Sequence, residues 1–85
     1  MATDTIGQLL PLWRKALGRD QLHETDDFFA SGGDSLKGIE LLAEVTATFG
    51  VEVPPLAVYD EASTARGMAL VIDQLIASAM EVNSD

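Results

Sequence analysis

Apolar residues recur at helical spacing in three separate stretches of this 85-residue chain, and that periodicity most narrows the folds open to it. In the first stretch, Ile6, Leu9, Leu10, Trp13, Ala16 and Leu17 share one side while Gln8, Arg14 and Lys15 take the other. The spacing predicts a helix over residues 5–17, ended by Gly18 in the left-handed conformation. Pro11 removes a hydrogen bond inside it, so a kink is expected, with the ring on the solvent side.

A second helix is expected over residues 35–49, about 22 Å long at the usual rise, closed by Gly50. Turning 100° per residue puts Gly38, Leu41, Leu42, Val45 and Phe49 on one face and Leu36, Ile39 and Ala43 on another. One face fills a core. The second strip is either covered by other elements or left for a partner. Val51-Glu52-Val53 is briefly extended, and Pro54-Pro55 then starts a short third helix over residues 55–60, with Val58 or Tyr59 facing inward. Ser63 or Thr64 caps a last helix, residues 64–80, whose stripe is Ala65, Met68, Ala69, Ile72, Leu75, Ile76 and Ala79. Leu70 lies on its polar side. The expected fold is therefore all-α, a bundle of three long helices and one short one. It reads as a single domain over residues 5–80, with residues 1–4 and 81–85 as frayed termini.

Residues 18–34 form a long first loop, a length that in small domains tends to carry function. Leu22, Phe28 and Phe29 are its expected anchors to the core, and its charge gathers in Asp20, Glu24, Asp26, Asp27 and Asp34 against Arg19 alone. His23, the single histidine, reads as a solvated loop residue. The loop ends at Gly32-Gly33-Asp34-Ser35-Leu36. Asp34 reads as the N-cap of the second helix, which makes Ser35 its first residue. Unpaired N–H groups and the positive end of the helix dipole lie there, so a phosphate on the Ser35 oxygen would be well placed. An ordinary capping serine would present the same three letters.

Several classes of function are excluded. Fourteen acidic residues against five basic ones give a net charge of −9, which opposes binding to nucleic acid or an anionic membrane. The same charge favours a soluble monomer whose partners present basic surfaces, or serves solubility alone. The longest apolar run, residues 68–72, is far too short to span a bilayer. Met1-Ala2-Thr3-Asp4 lacks the basic and apolar segments of a secretory signal, and the absence of cysteine fits a cytoplasmic setting without disulfides. No metal site is expected, because one histidine without cysteine makes no zinc site and Asp26-Asp27 with Asp34 does not fit a calcium loop. Gly33-Asp34-Ser35-Leu36 spells the tetrapeptide of a serine-hydrolase family, yet His23 precedes the serine and no D-x-x-H motif follows. With an exposed hydroxyl and no machinery around it, the chain reads as a protein that is acted upon, not as an enzyme.

Asp26-Asp27-Phe28-Phe29 followed by Gly32-Gly33-Asp34-Ser35-Leu36 resembles the attachment motif of the phosphopantetheine carrier proteins. The double glycine resembles the peptidyl carriers of nonribosomal peptide synthesis more than fatty-acid carriers. The likeness extends through Leu12-Trp13, Leu17-Gly18, Phe49-Gly50-Val51, Val58-Tyr59 and Ser63-Thr64. It implies a four-helix carrier fold in which Ser35, flanked by Gly33 and Asp34, receives a 4′-phosphopantetheine arm from coenzyme A. The arm's thiol then holds aminoacyl, peptidyl or acyl groups as thioesters. The implied partners are a phosphopantetheinyl transferase, an adenylating enzyme, and condensing, thioesterase or tailoring enzymes. Leu36, Ile39 and Ala43, with Val58 and Tyr59 of the short helix, would be the surface they read. Met1, a complete set of helices and the absence of a flanking linker read as a free-standing carrier, and an excised module with an added start codon would look the same. An acyl carrier of polyketide or fatty-acid synthesis is the alternative, and an unmodified helical interaction module is a third reading.

Overall fold

The computed structural model describes residues 4–81 and contains, within that span, α1 (Thr5–Leu17), α2 (Ser35–Phe49), a 3₁₀ turn (Pro55–Tyr59) and α3 (Ala65–Glu81). Each α-helix begins on a side-chain oxygen that accepts a first-turn N–H, one of the four donors a helix start leaves without an internal partner. Asp4 caps α1 through Gly7 at 3.2 Å, Asp34 caps α2 through Lys37 at 2.8 Å, and Thr64 Oγ1 accepts from Gly67 at 3.0 Å at the head of α3. Between Ser63 and Thr64, then, the threonine is the cap. Gly18 and Gly50 end α1 and α2 with φ of 66° and 74°. Pro11 sits exposed inside a helix that runs without a break from Thr5 to Leu17.

Two expectations change. Asp4 and Glu81, assigned from sequence to frayed ends, belong to the cap of α1 and the last position of α3; residues 1–3 and 82–85 lie outside the described residues. The four-helix count is replaced by three α-helices and one 3₁₀ turn among the described residues. Pro54 and Pro55 fix φ at its start, and its i→i+3 bonds, Ala57 N to Pro54 O at 2.9 Å and Asp60 N to Ala57 O at 3.0 Å, are complete within a few residues. Asp60, at φ −139°, then leaves helical geometry.

The core lies where the three α-helices face one another. Leu9 and Trp13 of α1, Leu41 and Val45 of α2, and Met68 and Ile72 of α3 are fully buried. Trp13 turns its only polar atom to the Met68 sulfur, with Nε1 donating at 3.4 Å. The apolar stripe of α3 fades toward its end, where Leu75 and Ile76 are half-buried and Ala79 is exposed.

The loop between α1 and α2 is far from structureless. Phe28 N donates to Ser63 O at 2.7 Å, and Asp27 and Thr64 form an antiparallel bridge. Glu24 O accepts the Arg66 N–H of the first turn of α3 at 2.9 Å, while its carboxylate pairs with Arg66 Nε at 2.8 Å. The acidic residues also build turns: Asp26 accepts from His23 N at 3.0 Å and Asp27 from Ala30 N at 2.9 Å. Arg14 and Arg19 donate to the carbonyls of Leu22 and Ser31, each at 3.3 Å. Leu22 and Phe28 are buried and Phe29 is half-buried, so the anchoring residues hold the loop to the bundle. His23 is exposed.

Phe28 therefore belongs to the core although it lies in a loop. Phe28→Ala is expected to cost about 3–5 kcal/mol, the range for emptying a fully buried aromatic site. Urea unfolding of the two proteins measures it, and an unchanged midpoint would contradict this placement.

Candidate functional site

Four consecutive residues, Gly32 to Ser35, set one oxygen at the edge of the bundle. Gly32 has φ 102°, a region that residues with a Cβ rarely occupy. Gly33 is needed for a different reason: a Cβ there would overlap the Phe28 ring and come within 2.7 Å of its carbonyl oxygen. That carbonyl instead accepts the Gly33 N–H at 2.9 Å. The chain then extends through Asp34, at φ −144° and ψ −177°, before turning into α2. Asp34 Oδ1 holds the Lys37 N–H, and its carbonyl takes the Gly38 N–H at 2.9 Å. Ser35 is thus the first residue of α2, with its side chain exposed. Gly33 and Asp34 frame this serine through the backbone, and the Asp34 carboxylate serves its own helix.

The phenol of Tyr59 faces the serine across the site, with Ser35 Oγ and Tyr59 OH 3.4 Å apart. An unbroken line of aromatic rings holds it there. Tyr59 stacks on Phe29 with centroids 4.8 Å apart and planes at 21°; Phe29 meets Phe28 edge-on at 5.3 Å, and Phe28 meets Trp13 edge-on at 5.3 Å. The line runs from the centre of the core to the hydroxyl pair. Beside the pair opens a mostly apolar groove of about 250 Å³, walled by Phe29, Ile39, Leu42, Leu56 and Tyr59. On the other side, Lys37 Nζ donates to Gly32 O at 3.3 Å.

The residues expected to form a partner surface divide into three groups. Leu36, Ile39 and Tyr59 are 65, 62 and 62% exposed and stand around Ser35. Val58 is only 3% exposed, so it supports the site from within and presents no surface. Ala43 is exposed but lines a separate groove against Leu12 and Ala16 of α1, bordered by the Lys15–Glu44 pair at 3.5 Å. Leu56, 79% exposed on the rim of the serine's groove, was missed. A signal existed: in a 3₁₀ turn residues three apart share a side, so turning Val58 inward sends Leu56 and Tyr59 outward together.

Among the described residues no group of three or more His, Asp or Glu side chains could hold a metal ion, and no helix is long and apolar enough to cross a membrane. What the arrangement offers is an accessible primary alcohol at a helix start, next to an apolar trough and a phenol.

Comparison with known proteins bears on that alcohol. A family model described as the phosphopantetheine attachment site matches residues 7–72. Indigoidine synthase of Streptomyces lavendulae is 42% identical over 52 residues, which cover 61% of this chain and 4% of that protein. The chain is therefore comparable to a small fraction of that relative's length. Among solved structures, a chain in the complex of the phosphopantetheine transferase Sfp with coenzyme A and a peptidyl carrier protein superposes with a TM-score of 0.77 at 25% identity, over 87% of this chain and 95% of that one. BlmI, a type-II acyl-carrier-protein from Streptomyces verticillus involved in bleomycin biosynthesis, gives a TM-score of 0.79 at 23% identity, over 86% of this chain and 87% of that one, a likeness of fold.

The framing role of Gly33 can be tested apart from any chemistry. Gly33→Ala is expected to lower stability by about 1–3 kcal/mol, as overpacking does, because Phe28 must move. Asp34→Ala should cost about 1 kcal/mol through the lost cap. Denaturant midpoints measure both, and neither change should alter the helical content of the folded state.

Proposed function

Because the chain belongs to the phosphopantetheine-attachment family, whose members carry 4′-phosphopantetheine, we propose that Ser35 is its attachment residue and that it works as a peptidyl-type carrier. The observation that carries the reading is the exposed Ser35 hydroxyl on the first residue of α2, bordered by the apolar groove. The residues present fit the group. Ser35 offers an alcohol able to become a phosphoester, and the first-turn N–H groups of a helix start suit the negative charge. Neither Gly32 nor Gly33 adds a side chain beside it. When bound, the arm supplies a terminal thiol for thioesters, a group this cysteine-free chain lacks.

The chain's own residues then have simple tasks. Ser35 presents its oxygen, Asp34 fixes the helix start through Lys37, and Gly32-Gly33 bring the loop close enough to Phe28 for the site to sit on the core. Leu36, Ile39, Leu56 and Tyr59 form an exposed apolar ring that enzymes can read. Such enzymes are a phosphopantetheinyl transferase, then adenylating, condensing, thioesterase or tailoring enzymes. Among the described residues, the Ser35 side chain hydrogen-bonds to Tyr59. That bond is not the base-assisted pair that a nucleophile requires.

The double glycine and the likeness to a chain in the Sfp complex with a peptidyl carrier protein support the peptidyl branch. A net charge of −9 favours the second reading, an acyl carrier meeting basic enzyme surfaces. An adenylating enzyme with ATP and an amino acid should load the modified chain in the first case; a malonyl or acyl transferase should do so in the second.

Incubation with coenzyme A, magnesium and a broad-specificity phosphopantetheinyl transferase is expected to add one arm by intact mass, and none to Ser35→Ala. An unmodified wild-type chain would refute the carrier reading. Leu36→Asp and Ile39→Asp are expected to slow loading or onward transfer while circular dichroism stays unchanged. Loss of helicity in either would mean that these side chains support the fold.

A further inference from the structure

We infer that Tyr59 is a positioning residue for the modified serine: its hydroxyl donates a hydrogen bond to the phosphodiester carried on Ser35. The inference rests on the carrier reading above and adds to it a residue from outside the attachment motif, 24 positions along the chain. Before modification, Ser35 Oγ and the phenol oxygen stand 3.4 Å apart and either can donate. Once the serine oxygen carries phosphorus it has no hydrogen left, so the phenol is the partner that donates. The new acceptors are phosphodiester oxygens sharing a negative charge, and hydrogen bonds to ionised acceptors are shorter and roughly twice as strong as neutral ones.

Of the other donors at this helix start, two groups of Lys37 already have partners. Lys37 N–H is held by Asp34 Oδ1 at 2.8 Å, and the Lys37 ammonium reaches back to Gly32 O at 3.3 Å. Tyr59, in contrast, has its hydroxyl aimed at the serine and its ring fixed from behind. Stacking on Phe29, itself edge-on to the buried Phe28, settles the ring plane. The 3₁₀ turn that carries Tyr59 starts on two prolines and is seated by the burial of Ala57 and Val58. A tyrosine has few rotatable bonds to freeze, so a hydroxyl delivered this way loses little entropy on binding. Packing at the base of the turn thus reaches the attachment point through one phenol.

The test uses phosphorus NMR of fully loaded protein, checked by intact mass. Tyr59→Phe keeps the ring and its stack but removes the donor. Leu70→Ala, an exposed change on α3 outside the site, is the control. The expected result is a ³¹P resonance displaced in Tyr59→Phe by more than its line width and unmoved in Leu70→Ala, with the same circular dichroism in all three proteins. Coincident resonances for wild type and Tyr59→Phe would overturn the inference and leave the carrier reading intact. A displacement of equal size in Leu70→Ala would overturn it too, because the change would then not be specific to the phenol. A wild-type chain that takes up no arm would overturn the carrier reading and this inference with it.

Discussion

The T-shaped contact of Phe28 with Trp13 joins the two halves of this molecule's problem, a helical core and an exposed serine oxygen on its surface. Trp13 is central to α1 and bonded to Met68 of α3, so it ties two helices; Phe28 adds the loop to them. With Phe28 buried, the chain on either side is committed. Its N–H pairs with Ser63, its carbonyl with Gly33, and its ring fills the space that a side chain at Gly33 would need. The positions of Ser35 and Tyr59 both descend from this anchor, one through Gly33-Asp34 and the other through Phe29.

This arrangement reconciles two opposing demands. A small domain buries a modest share of its surface and cannot spare much core, yet apolar side chains stay open around Ser35. Here α2 divides the task by face. Leu41, Leu42 and Val45 enter the core while Leu36 and Ile39 remain outside, and the helix is held by packing on one side only. The acidic loop is also less free than its charge suggests. Asp26, Asp27 and Glu24 spend their carboxylates on turns and on Arg66, so the loop's negative charge is partly structural.

Much of the fold was legible because its signals are local. The bounds of α1 and α2 follow from a cap residue at one end and a glycine at the other, and both signals lie within a few residues of the element they delimit. Asp4 was misjudged because a cap three residues from the chain start looks like an unattached end. The short third element was recognised at the right place, but whether it closed i→i+3 or i→i+4 bonds depends on five residues and two prolines, too little for periodicity to decide. At the site, the serine, its cap and its two glycines were readable from the motif. The placement of Val58 and Ala43 was not, since each depends on which neighbour covers it, and Leu56 follows only once Val58 is turned inward.

Local signals along the chain settle that three amphipathic helices form, where the first two start and stop, and that Ser35 opens the second. Each of those outcomes rests on backbone hydrogen bonds and side-chain periodicity within one stretch of chain. Long-range packing alone settles that Phe29 and Tyr59 stack, that a phenol meets the serine hydroxyl, and that Leu56 and not Val58 faces outward. Those contacts join residues far apart in the chain, and no local rule ranks one such pairing over another until the core has set the distances between them.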